Sequence, residues 1–301
     1  MTQKTQRNWK QYNDSLVARG DVTFWFDQEV IKGWTPKHSI LKRGRPMLYS
    51  DLAIETTLTI REAFHLTYRA VEGFSRSLFD LLDVKNVSVP DYSSLCKRAK
   101  TLDVAIKVQG KRGALNVCID STGLKVFGEG EWKVRKHGYS KHRVWIKVHL
   151  AIDPDSGQVI VGHTTTNSID DASVTPKLLE QIDGDFTTIY GDSGYDKRKV
   201  YDATDKYGAR LIVPPRKNAR IDHIGSWGNN GKIRNQAISQ MRKGRLDDWK
   251  RENGYGCRSL VETTMFRIKQ SFGDRLKSRL PATQQTETMI KLNAINRLAS
   301  K

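Results

Sequence analysis

The stretch Leu115-Asn-Val-Cys-Ile-Asp120-Ser-Thr-Gly123 alternates apolar and polar residues, reaches an acid, and passes into a run of small residues. Alternation of period two marks a strand with one buried face. Here Leu115, Val117 and Ile119 share one side, while Asn116, Cys118 and Asp120 share the other. Ser121-Thr122-Gly123 reads as a turn directly after the acid. The pattern returns in Phe186-Thr-Thr-Ile-Tyr-Gly-Asp192, which Ser193-Gly194 breaks immediately. A single Asp at a strand end is commonly a turn or cap residue. Two of them at equivalent places open a second reading, a pair of metal ligands.

Around these units the spacing predicts strands over 144–152 and 158–164, joined by the turn Asp153-Pro-Asp-Ser-Gly157. A helix capped by Asp170 or Asp171 follows. After the strand to Asp192 come a helix over about 197–207 and a strand over 209–213, ended by Pro214-Pro215. Then Tyr255-Gly-Cys-Arg258-Ser-Leu-Val-Glu262-Thr-Thr-Met-Phe-Arg-Ile-Lys269 has helical periodicity. Tyr255, Arg258, Glu262 and Lys269 fall within an arc of roughly 60° on a helix. Val261, Met265, Ile268 and Phe272 make the adjoining apolar stripe. The polar arc is either a solvated face with an Arg258/Glu262 pair or the third corner of a site. Two strand-end carboxylates and a third on a late helix can converge on two divalent ions about 4 Å apart, which clamp both oxygens of an in-line phosphoryl displacement. Such hard oxygen donors suit Mg²⁺ or Mn²⁺ rather than Zn²⁺.

The order Asp120, Asp192, Glu262, with Y-x2-R-x3-E-x6-K spacing around the last acid, resembles the DDE transposases of bacterial insertion sequences, within them the insertion-sequence family numbered five. The resemblance runs through Leu66-Thr-Tyr-Arg-Ala-Val-Glu-Gly-Phe74, Pro90-Asp-Tyr-Ser-Ser-Leu-Cys-Lys-Arg98, Pro214-Pro-Arg-Lys-Asn-Ala219 and Arg258-Ser-Leu-Val-Glu-Thr263, and covers nearly the whole chain. It implies a ribonuclease H-like α/β domain with a mixed five-stranded sheet in which the first and fourth strands are neighbours. It also implies Asp120, Asp192 and Glu262 as catalytic metal ligands for two Mg²⁺, with Mn²⁺ able to substitute. The expected reaction is cleavage at the terminal inverted repeats and transfer of the freed 3′ ends into target DNA. A homo-oligomer is implied, a dimer on DNA, because two ends are handled together. A metal-dependent nuclease without strand transfer and a transposase-derived repressor are the alternatives.

Composition points the same way. Lys and Arg number 51 against 33 Asp and Glu, a net charge of +18, which is the footprint of a polyanion partner. The stretches 131–147 and 210–251 are markedly basic and bracket the acid-bearing elements. No apolar run reaches the length of a spanning helix and the amino terminus lacks a signal-peptide core, so a cytoplasmic, nucleoid-associated protein is expected. Cys96, Cys118 and Cys257 read as reduced thiols, Cys118 as a small core residue. His137, His142 and His149 lack metal-ligand spacing and read as phosphate contacts or surface.

The first third, 1–106, reads as a helical DNA-end-binding region, and 107–301 as the catalytic domain with an insertion at about 216–254. Ser50 caps a helix to about residue 64, Thr67 one to 82, with Ala70, Val71, Phe74, Leu78 and Leu81 on one side, and Asp91 one to about 102. The third exposes Ser93, Ser94, Lys97, Arg98 and Lys100, a set suited to phosphates and base edges. A helix-turn-helix-like unit and a plain three-helix domain with a solvated basic face both fit. Trp9, Trp25, Phe26 and Trp34 are expected as core anchors. In the insertion, Arg216 and Lys217 are candidate DNA contacts. For Trp227, in a Gly/Asn-rich loop, the resemblance implies stacking on a base flipped out at the DNA end, and folding back onto the body is the alternative.

Overall fold

The computed structural model describes residues 9–18, 20–36, 47–85, 87–109, 113–126 and 145–299. His137, His142 and most of the basic stretch 131–147 lie outside the described residues. The chain divides into two compact units, Met1–Val104 with the last two residues, and Ala105–Ala299.

The first unit is helical: α1 (Trp9–Ala18), α2 (Val22–Trp25), α3 (Gln28–Lys32), α4 (Asp51–Ala63), α5 (Tyr68–Leu81) and α6 (Tyr92–Arg98). Each of the three longer-range starts has its side-chain cap. Ser50 accepts from the Ala53 N–H, Thr67 from Ala70, and Asp91 from both Ser93 and Ser94. An aromatic cluster of Phe26, Trp34 and Phe79, with ring centroids 4.8 to 5.4 Å apart, fills the centre. Trp25 is buried with it, but Trp9 is 63% exposed and anchors no core. The α5 stripe is Val71, Ser75, Leu78 and Phe79, and Leu81 faces solvent, because the face is set by the aromatic cluster. Helix α6 ends at Arg98, short of the expected 102.

The second unit is built on a five-stranded sheet of order β3-β2-β1-β4-β5: β1 (Leu115–Lys125), β2 (Trp145–Ile152), β3 (Val159–Thr166), β4 (Phe186–Tyr190) and β5 (Arg210–Ile212). The first three strands are antiparallel; β4 and β5 run parallel to β1. This mixed sheet with its helices is a ribonuclease H-like fold. On one face α7 (Asp171–Glu180) and α8 (Arg198–Asp205) cover Val117, Ile119, Ala151 and Val161. Strand alternation sends Cys118 and Asp120 to the opposite face. There the acid-bearing helix α11 (Ser259–Phe272) packs on β1, and α12 (Pro281–Ala299) on β3. The expected insertion is half helical, with α9 (Gly231–Arg242) and α10 (Leu246–Glu252). No helix of the described residues is long and apolar enough to cross a membrane.

Candidate active site

Asp120 is in mid-strand. The turn expected at Ser121-Thr122-Gly123 does not form, because β2 continues to pair with β1 as far as Lys125 opposite Trp145. What ends near Asp120 is the parallel pairing with β4, whose last partners are Cys118 and Tyr190. Asp120 and Asp192 each lie two residues beyond that last pair, so both acids stand at the notch where the two strands part. Asp192 caps a single 3₁₀ turn, Ser193–Tyr195, with its Oδ1 accepting the Gly194 N–H at 2.8 Å. A Cβ at Gly194 would sit 2.9 Å from that oxygen, so any larger residue there would push the Asp192 carboxylate aside.

The helical arc is modified at its start. Tyr255–Arg258 is a 3₁₀ turn, entered through Gly254 at φ 67°, and the α-helix proper begins at Ser259. This turn swings Arg258 over the sheet. Its Nη2 donates to Asp120 Oδ2 at 2.8 Å and its Nη1 to Glu262 Oε1 at 2.7 Å, so one guanidinium bridges two of the three acids. The Tyr255 hydroxyl donates to the Gly191 carbonyl at 3.2 Å, tying the same turn to the end of β4. Glu262 is exposed and Lys269 half-buried on α11.

Burial pushes the Asp120 carboxyl upward, and the neighbouring charges of Asp192 and Glu262 push the same way, while the Ser121 N–H and Arg258 oppose them. Burial alone would lower Arg258, yet Asp120 and Glu262 hold its charge firmly in place. Burial also raises the Tyr255 phenol to about 12, so it serves as a donor. Cys118 is fully buried as expected, and its Sγ lies 3.8 Å from Cys257 Sγ, which was not foreseen. His149 is neither surface nor phosphate contact. It is 1% exposed beneath α7, its Nε2 is 2.8 Å from Thr165 Oγ1, and burial lowers its pKa to about 4.

The three acids share one field, and in kind they fit a hard divalent cation. Their spacing is not that of a closed ion site: among the described residues no three His, Cys, Asp or Glu side chains are grouped to hold a metal. The cation between Asp120 and Glu262 is the Arg258 guanidinium.

Other candidate residues are placed as follows. Ser93 and Ser94 direct their hydroxyls at the Asp91 carboxylate, at 2.6 and 2.9 Å, and Arg98 bonds the Tyr49 carbonyl and Asp51, while Lys97 is exposed. Lys217 is exposed; Arg216 reaches back to the Gly194 carbonyl at 3.1 Å. Trp227 folds onto the body, with its ring centroid 5.0 Å from that of Tyr201 and Arg234 3.8 Å above its face. It lines a cavity of about 330 Å³ with Asp196, Arg216, Arg220 and Arg234. The sequence reading passed over Asp196 and Arg234. The one available signal was an acid four residues beyond Asp192.

Two family models described as Transposase DDE domain match the chain, over residues 17–129 and 111–297, the second covering more than half of it. Among solved structures, the chain is similar to the piggyBac transposase synaptic complex with hairpin DNA. Identity is 14% over 95% of this chain and 75% of that one, with a TM-score of 0.41. For the Drosophila P element transposase strand transfer complex, the identity is 10%, the coverage 96% and 85%, and the TM-score 0.27.

Proposed function

From the premise that this chain belongs to the DDE transposase family, we propose that it binds the terminal inverted repeats of an insertion sequence, cuts the DNA there and joins the freed 3′ ends to target DNA. One observation carries the reading: Arg258 forks between Asp120 and Glu262 across 138 residues of chain, at the notch that also bears Asp192. A surface ion pair has no need of that long-range convergence, whereas a phosphoryl-transfer site does.

In this reading Asp120, Asp192 and Glu262 would hold two Mg²⁺, or Mn²⁺ in their place. Bound there, the ions supply activation of water and then of the 3′ hydroxyl, and neutralisation of charge on the leaving oxygen. The protein's own groups do the placing. Arg258 and Lys269 take the phosphate oxygens on either side of the scissile bond, Arg258 as a bidentate fork. Tyr255 sets the DNA end against the end of β4. Within residues 1–106, Lys97 contacts the end's phosphates, with Arg98, Ser93 and Ser94 beside it. Arg216 and Lys217 extend the phosphate track along the insertion at 216–254. Trp227 would stack on a flipped base, worth about 1 to 3 kcal/mol, only after leaving Arg234. The charge of +18 supports a double-stranded DNA partner. Two ends handled together call for a dimer on DNA, and the protein belongs in the bacterial cytoplasm at the nucleoid.

The test incubates the purified protein with a duplex carrying one end and its flank, a target plasmid and Mg²⁺. Cut and joined products are expected from the wild type and from none of Asp120→Ala, Asp192→Ala or Glu262→Ala, all of which should still bind the end. Cutting without joining would make the protein a plain nuclease, and metal-independent binding without cutting a repressor.

A further inference from the structure

Four residues beyond Asp192 lies a second carboxylate, Asp196, 4% exposed. Its Oδ1 accepts from Arg234 Nε at 2.7 Å and from the Tyr201 hydroxyl at 3.2 Å. Its Oδ2 accepts from Arg234 Nη2 at 3.3 Å and from the Arg216 N–H at 3.1 Å. One side chain thus joins the turn after β4, helix α8, the segment after β5 and insertion helix α9. Arg234 is itself 6% exposed and spends its remaining contacts within the insertion, donating to the Arg220 carbonyl at 3.0 Å and covering Trp227. Arg216 closes the circuit from the other side. Its Nη2 and Nε reach the Gly194 and Ser193 carbonyls, at 3.1 and 3.4 Å. Those are the residues whose turn Asp192 caps. A buried ion pair is weak support for stability, because apolar side chains of similar volume usually serve as well. Holding four segments in one register is what the pair does here that apolar side chains would not.

We propose that Asp196 and Arg234 are positioning residues for the transposition reaction: they fix the Asp192 turn to the insertion, so that the insertion's placement sets that of Asp192. The inference rests on the reading of Asp192 as one of the three acids. Neither residue touches DNA or the reacting phosphate. Displacement of Arg216 by an incoming DNA end would release its hold on the Ser193 and Gly194 carbonyls while Asp196 and Arg234 keep the turn on the insertion, coupling the insertion's engagement to the geometry of the acids.

The test uses the full chain. Asp196→Leu combined with Arg234→Met replaces the pair by apolar side chains and is expected to fold with an unchanged melting temperature. Arg234→Lys keeps the charge and loses the fork. End-duplex affinity, single-turnover cleavage rate and Mn²⁺ binding followed by electron paramagnetic resonance are measured on each. End affinity should be unchanged. Cleavage should fall by about tenfold or more in the double variant, as expected when a supporting residue lets a site drift by a fraction of an ångström. Mn²⁺ affinity should fall with it, and Arg234→Lys should be intermediate in both. A folded double variant that cleaves and binds Mn²⁺ like the wild type would overturn the proposal, leaving the pair a structural tie. If the double variant does not fold, Arg234→Lys decides, and wild-type cleavage and Mn²⁺ affinity from it overturn the proposal equally. A wild type that neither cleaves nor binds Mn²⁺ brings down the proposed function, and this inference with it, and is distinguishable because the reference itself is silent.

Discussion

Helices α11 and α6 both present polar side chains that the sequence marks out for DNA, yet their bonds differ in reach. Around α11 the partners are remote: Arg258 meets Asp120 across 138 residues, and Tyr255 meets Gly191 across 64. On α6 the partners of Ser93 and Ser94 are the helix's own cap; Arg98 is the exception, fastened across 47 residues to Asp51 at the start of α4. Polar groups tied over long sequence distances form a site that the whole unit must be folded to build. Polar groups tied locally hold their own helix together, and only what remains, on α6 chiefly Lys97, is presented outward.

The comparison breaks first if the remote ties do not matter. Asp120→Asn and Asp192→Asn keep side-chain size and weaken the charge, so cleavage and joining should drop below detection while end binding, measured by gel shift, persists. Wild-type-like cutting by either would remove that acid from the site. Next in size, Arg258→Ala should cut the rate of cleavage about 100-fold with little change in end binding, and Arg258→Lys should recover part of it, because a point charge does not reproduce the fork. Full activity of Arg258→Ala would return α11 to an ordinary solvated face.

Acid titration probes the unit that carries α11. His149 in the α11 unit has a folded-state pKa of about 4 against an ordinary 6.5. The unfolded chain therefore binds the extra proton between those values, and stability present at neutral pH is lost as pH falls from about 6.5 to about 4, by about 3 kcal/mol in all. Chemical denaturation at pH 7 and pH 4.5 should show the α11 unit weakened, and His149→Gln should flatten the dependence; an unchanged slope would discount the burial of His149. The smallest effect sharpens the α6 side. Lys97→Ala should weaken end binding a few-fold and reduce its salt slope by about 1, with folding intact, whereas Arg98→Ala should lower the melting temperature as well. Equal salt slopes for wild type and Lys97→Ala would take α6 out of the interface.

The strands bearing Asp120 and Asp192 and the helix bearing Glu262 were legible because each leaves a periodic trace, alternation ahead of the two Asp residues and a 3.6-residue repeat from Ser259 onward, whereas the pairing of the first and fourth strands was implied by the family resemblance alone. The end of β1 was not legible. Ser121-Thr122-Gly123 has turn composition, but pairing with β2 overrides it, and a Cβ at Gly123 would stand 3.2 Å from the Trp145 ring. Helix α12 is hard to read because it is buried nearly all round, with Met289, Ile290, Leu292, Ile295 and Leu298 interleaved with sequestered polar residues. Thr283, Gln284, Glu287, Lys291 and Asn296 are all sequestered, Glu287 paired to Lys291 at 3.0 Å and Asn296 bonded to both backbone groups of Val159. Apolar and polar residues buried together on every side leave no one-sided stripe for a periodicity to show. The helices of the insertion were hidden too. Their Gly, Asn and Arg content suggests a loop, yet Asn230 completes the edge of β5 through the Leu211 N–H and the Ala209 carbonyl.

The parallel pairing of β1 with β4 has a consequence for the life of the chain during its synthesis. Asp120 and Asp192 meet only when strands about seventy residues apart have docked, and such non-local parallel contacts form late because loop closure must precede them. Arg258 and Glu262 emerge later still. In the proposed reading, a nascent or truncated polypeptide ending before Tyr255 carries Asp120 and Asp192 but neither Arg258 nor Glu262, so its site is incomplete. Translation itself withholds the completed site until α11 has left the ribosome and folded.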